Sequence, residues 1–277
     1  MELNPRALAR TWTPARPASP SWPRPSARTL LSLIVPIALL ALWQLMTELE
    51  VYSRGQLPAP LDVIAAARQL AEADLLGLHL EASLRRVAWG FAFGVGVAVP
   101  LGLLVGLSRL IETLLAPTIQ ALRAIPSLAW VPLLVLWMGI DEAPKITLVA
   151  IGVFFPVYTN LVGGIRQIDR KLIEAGHAYG LHGLSLAREV LLPAALPSLL
   201  TGLRMGLAQG WLFLVAAELI AASRGLGFLL IDGQNTGRAD IIVLSIVLLA
   251  LLGQASDWLI HLISRRWLRW ADVYRGA

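Results

Sequence analysis

The chain contains no cysteine, so disulfides, thiolate metal sites and cysteine nucleophiles are excluded. Lysine is almost absent: Lys145 and Lys171 are the only two, preceded by Pro144 and Arg170. A Walker A loop needs a Gly-Lys-Ser/Thr run, so this chain has no such route to ATP. Charge is sparse as well, at 15% of 277 residues, against about a quarter in soluble domains. The four histidines, His79, His177, His182 and His261, form no metal-ligand pattern. Even His177 and His182 have a spacing that does not share a helix face. Neither His-Glu-x-x-His nor Gly-x-Ser-x-Gly occurs. No catalytic residue, metal site or bound cofactor is therefore expected on this chain.

Apolar residues, by contrast, make up 57% of the sequence and gather in long uncharged runs. Runs of about 18 or more such residues read as spans of a bilayer core roughly 30 Å thick. The predicted fold is an all-α membrane protein with six transmembrane helices, near residues 30–47, 87–107, 114–140, 146–165, 199–222 and 241–263. The third span is most apolar over 125–140 and holds Pro126 and Pro132. The fifth is interrupted by Arg204 and Glu218. Residues 1–29 carry six prolines and five arginines without apolar periodicity, and read as a disordered tail. Residues 265–277 read as a short basic tail.

The 23 basic residues outnumber 18 acidic ones. In a soluble protein such a balance would suggest nucleic acid. In a membrane protein it reads as the bias of Lys and Arg toward cytoplasmic segments. With an inside N-terminus, the inner segments hold 15 basic residues and the outer ones 7. Both termini are thus expected in the cytoplasm of a bacterial cell, with lipid and not nucleic acid as the surrounding partner. Arg85 and Arg86 are the awkward pair on the outer side. They are expected in an interfacial helix, because residues 61–84 look amphipathic and follow Pro58 and Pro60. In the second span Gly90, Gly94, Ala98, Gly102 and Gly106 recur every fourth residue. Such a ladder lets helix backbones approach closely, and packing within one subunit is the favoured use over a dimer seam.

The segment 166–198 carries the most specific pattern. It reads Glu174-Ala175-Gly176, three residues, Gly180, nine residues, then Val190-Leu191-Leu192-Pro193. This resembles the EAA signature of binding-protein-dependent ABC permeases, the type I importer fold, with Gly176 and Val190 as the two departures. Small Ala175 and Gly176 would keep one helix face low enough to enter a partner's groove, and Glu174 would offer a carboxylate. Gly180 would supply a backbone angle between two short helices, and Pro193 the opening turn of the next.

The resemblance extends over roughly residues 31–269, through Arg123–Pro126, Trp137–Glu142, Phe155–Tyr158, Gly164–Arg166, Ala217-Glu218, Gly225–Gly227 and Trp267–Trp270. It is nearest to the aliphatic sulfonate, taurine and nitrate branch, the sulfonate permeases above all. It implies a homodimeric ABC transporter permease and two cytoplasmic ATPase subunits, which hold ATP and Mg, docked on the 166–198 loops. A periplasmic binding protein would deliver a small organic anion. Arg204, Gln209, Trp211 and Glu218 are then candidates for the translocation path. Charges at bilayer depth should face protein or water, or snorkel to an interface. Arg204 and Glu218 lie about 21 Å apart along one helix and cannot pair with each other. Taurine, nitrate and pyrimidine-precursor permeases share the scaffold. An ion-coupled secondary transporter is the rival class, but it would show paired membrane acids or inverted repeats. An enzyme within the membrane has no residues pointing to it.

Overall fold

The structure, a computed structural model, describes residues 27–53, 55–126 and 129–268. The expected N-terminal tail lies almost wholly outside the described residues, as does most of the C-terminal one. Among the described residues the chain is helical, without strands. The elements are α1 (Ala27–Glu48), α2 (Pro60–Glu72), α3 (Leu75–Leu107), α4 (Arg109–Ala124), α5 (Trp130–Met138) and α6 (Glu142–Arg166). After these come α7 (Arg170–Ala178), α8 (Gly183–Leu186), a π turn (Ala187–Leu191), α9 (Leu192–Ala221), α10 (Leu226–Asn235) and α11 (Ala239–Trp267).

Four helical stretches are long and apolar enough to cross a membrane: Leu75–Leu107, Glu142–Arg166, Gly183–Ile220 and Ala239–Trp267. The apolar part of α1, Ile34–Glu48, is shorter. These match the first, second, fourth, fifth and sixth expected spans, most of them extended by a turn or more. The third does not survive as one rod. It divides into α4 and α5, which are separated around Pro126. Proline lacks the N–H that would continue the helix and pushes its predecessor out of helical geometry, so Ile125 is extended at φ −69° and ψ 124°.

The interfacial helix is also shorter than expected. It ends at Glu72, and Asp74 in left-handed geometry (φ 56°) turns the chain into α3. Its start is set by Pro60 in the first turn and by Asp62, whose carboxylate accepts from the Ala59 amide at 3.0 Å. Residues 75–84 belong to α3 instead, and with them Arg85 and Arg86, so these arginines are not part of the amphipathic helix.

The centre of the molecule is α6, held between α3 and α9. Val149, Val153 and Val157 of α6 are fully buried. A Cβ added to Gly90 would strike Val149, one on Gly94 would meet Val153 at 2.8 Å, and one on Gly102 would meet Leu161 at 2.9 Å. The α3 ladder is therefore a seam inside one subunit. A second ladder lies opposite: a Cβ added to Gly202 or Gly206 of α9 would lie 2.9 Å from Asn160 or Val157, and one on Gly210 would lie 3.0 Å from Val153. Glycine at each step brings the backbones close enough for dispersion contacts, the main attraction available to helices in lipid.

The outer faces are apolar and open. Ile37 of α1, Phe93 and Val97 of α3, Leu212 of α9 and Leu251 and Trp258 of α11 are each more than half exposed. A water-soluble chain would not leave so many large apolar groups bare.

Candidate functional site

The loop between α6 and α9 is a compact helical unit. Asp169 caps α7, accepting from the Lys171 amide at 2.9 Å. The helix closes in a Schellman motif: Leu181 N–H donates to Gly176 O at 3.0 Å and Gly180 N–H to His177 O at 2.9 Å. Gly180 sits at φ +79°, the left-handed position this closure requires. Gly183 (φ +55°) makes the second bend into α8. Glu174 stands outside, 64% exposed and paired with Arg170 of the same helix at 3.2 Å. Ala175 and Pro193 are exposed as well.

Gly176 is placed otherwise than its role as part of a low outer face required. It is buried, and a Cβ there would lie 2.5 Å from Leu186 Cδ1 and 3.3 Å from Val190 Cγ2. It forms the internal joint between α7 and α8, with Val190 packed on it. The outward groups are Tyr179, 87% exposed, and Leu184, 85% exposed, with Leu192 partly exposed. Tyr179 and Leu184 escaped sequence reasoning because they fall at the break between two short helices, where no apolar period runs. The turn also brings His177 and His182 together, rings 5.0 Å apart, each with Nδ1 against a backbone carbonyl. Among the described residues no group of three or more His, Cys, Asp or Glu could hold a metal ion.

At the other end of the bundle Arg86 is 2% exposed and fully engaged. Its Nη1 donates to Glu218 Oε1 at 2.8 Å and to the Arg224 carbonyl at 2.6 Å. Nε and Nη2 fork onto Glu142 at 2.7 and 2.6 Å. Glu218 also accepts from Ser83 Oγ at 2.8 Å and the Gly227 amide at 2.8 Å. Ser83 Oγ in turn accepts from the Leu226 amide at 2.9 Å, and His79 Nδ1 accepts from the Gly225 amide at 3.0 Å. This network ties α3, α6, α9 and the start of α10. The Gly225-Leu226-Gly227 run follows from it: a Cβ on Gly225 would collide with the Glu218 carboxylate, and one on Gly227 would lie 2.7 Å from Glu218 Cβ. Among the described residues no buried side-chain polar atom lacks a partner.

The four path candidates do not converge on one cavity. Glu218 is sealed in the Arg86 network. Trp211 is buried and donates from Nε1 to Ser256 Oγ at 2.9 Å. Gln209 is exposed. Arg204 forks onto Asp257 of α11, Nε to Oδ1 at 2.8 Å and Nη2 to Oδ2 at 2.7 Å. Neither Arg86 nor Asp257 was singled out as a partner in sequence, and no local pattern could have paired them.

An all-helical bundle with long apolar helices, and a compact helical loop ahead of the last of them, is the build of a multi-pass membrane protein. The comparisons agree. Residues 98–269 match the family described as binding-protein-dependent transport system inner membrane component. The aliphatic sulfonates transport permease protein SsuC of Escherichia coli (strain K12) is 43% identical over 87% of this chain and 91% of its own. SsuC of Bacillus subtilis (strain 168) is 38% identical over 88% of each chain. The taurine transport system permease protein TauC of Escherichia coli (strain K12) is 34% identical over 90% of this chain and 92% of its own. Among solved structures, an inward-facing MetNI methionine ABC transporter superposes with a TM-score of 0.57, at 23% identity, over 69% of this chain and 97% of that one. That match supports the fold alone. The chain belongs to the binding-protein-dependent ABC importer permeases, which work with an ATPase and a substrate-binding protein.

Proposed function

We propose that this chain is the permease subunit of an ATP-driven importer for aliphatic sulfonates. It works as a homodimer with both termini in the cytoplasm. The ATPase subunits, which hold ATP and Mg, dock on the α7–α8 unit, and no covalent chemistry occurs on this chain. The observation that carries the reading is that unit: a rigid hairpin of short helices with Tyr179 and Leu184 bare and Glu174 beside them. A side chain such as Tyr179 fills a partner's pocket at little loss of rotamer freedom. Closure of the ATPase pair would then move the hairpin. The hairpin runs through the π turn into α9 without a break, so its motion reaches the bundle as that of a rod. The identity to SsuC over most of both chains supports sulfonate as cargo.

The test is reconstitution of the chain with its ATPase and binding protein in proteoliposomes. Uptake of ethanesulfonate that requires ATP and the binding protein is the expected result. Preferential uptake of taurine would reassign the cargo, and uptake by the chain alone, driven by an ion gradient, would overturn the reading.

A further inference from the structure

We propose that Arg204 is the group on the translocation path that takes the sulfonate head, and that Asp257 is the internal counter-ion which the cargo displaces. The inference rests on the importer reading above and gives it a site.

Depth comes first. Arg204 lies about 18 Å from the start of α9 and Asp257 about 15 Å from the end of α11, so both sit within membrane-crossing lengths. The pair is nonetheless open, with side chains 43% and 37% exposed. The same molecule shows what a purely structural arginine looks like: Arg86, 2% exposed, spends its donors on two carboxylates and a carbonyl. Arg204, by contrast, uses only Nε and Nη2; among the described residues Nη1 has no acceptor.

Guanidinium N–H groups left free in hydrocarbon would be costly, so this face meets water or a partner surface and not lipid tails. On the same side of α9, one turn before Arg204, stands the exposed Thr201, a polar group suited to a wet face. In a homodimer the face occurs twice.

The chemistry of the cargo fits. A sulfonate is a permanent monoanion with oxygens spaced for a guanidinium fork, so it can replace the Asp257 carboxylate on the same two donors. Asp257 then has two effects. It neutralises Arg204 while the path is empty, and it competes with the cargo, keeping affinity low enough for release. A transport site has to let go.

The experiment compares variants of the complete importer in proteoliposomes, with ethanesulfonate as probe and ATP hydrolysis as the measure of assembly. Arg204→Gln should lose about tenfold or more of uptake while ATP hydrolysis stays near wild type. Arg204→Lys, which keeps charge and loses the fork, should raise the half-saturating concentration and recover part of the rate. Asp257→Asn should lower both the half-saturating concentration and the turnover. Wild-type uptake in Arg204→Gln would overturn the proposal. So would full recovery in the double exchange Arg204→Asp, Asp257→Arg, since only the ion pair would then matter. Joint loss of uptake and ATP hydrolysis in every Arg204 variant would assign the pair to assembly instead. If the wild-type importer moves no ethanesulfonate, the importer's cargo assignment falls first, and this site with it.

Discussion

Arg86 is the residue on which one end of the bundle depends. It is surrounded by Glu142, Glu218 and a backbone carbonyl, so its removal leaves the buried Glu218 without a counter-charge, while Glu142 keeps Lys145 at 3.7 Å. Arg86→Gln should destabilise the folded chain by about 3–5 kcal/mol, because breaking one side of a buried pair strands the other. Thermal unfolding in detergent, followed by size-exclusion, would show it as a lower midpoint. Replacing Arg86 and Glu218 together by Met should be milder than either change alone. Gly225→Ala should behave like a lost partner too, since the new methyl group meets the Glu218 carboxylate at a φ of +126°. Gly176 offers a separate test within the docking unit. Gly176→Ala should loosen the α7–α8 joint by about 1–3 kcal/mol through overpacking against Leu186, and Leu186→Ala should relieve part of it. Proteolysis at Lys171 would report the loosening, and no coupling between the two changes would contradict the packing.

The elements pack as a three-helix sandwich, α3 on α6 on α9, and each interface has its own run of glycines. Gly94→Ile and Gly206→Ile should each force the sandwich apart and lower the unfolding midpoint, at about 1–3 kcal/mol or more per site. Gly96→Ala is the control: a Cβ there meets nothing within 4 Å, so its stability should not fall.

The α3 ladder was legible in sequence because a four-residue period of small residues in an uncharged run marks a close helix contact. The α9 ladder has the same period, but its glycines are interleaved with the charged Arg204 and the polar Gln209, which break the apolar run that makes such a ladder legible. Pro126 marked the place of the break between α4 and α5, but hydropathy sums across it, so where each helix ends was not legible. Arg86 was read as interfacial for a related reason. Its charge argued for water, and the acids that compensate it lie 56 and 132 positions away. The docking loop was legible as a motif, yet its geometry was not: spacing shows that Gly176 is small, but not that its small side faces inward.

The molecule as a whole has two kinds of unfinished surface. One is the apolar belt of α1, α3 and α11, whose large side chains stand bare. The other is the α7–α8 unit, which leads into the Gly183–Ile220 stretch with an aromatic and an aliphatic side chain bare. An importer permease needs both, because it works with a separate ATPase. The bundle can only be biased between arrangements by a partner that binds them unequally.

The most direct measurement of that account is ATP-driven ethanesulfonate uptake by the reconstituted importer carrying Glu174→Ala and Gly180→Val together. Gly180 holds the left-handed angle that closes the hairpin, and Glu174 stands on its open face, so the two changes together remove both shape and charge. The chain should still insert as a folded bundle, uptake should be abolished, and co-purification of the ATPase should be weakened. Uptake at the wild-type rate in the doubly altered importer would contradict it.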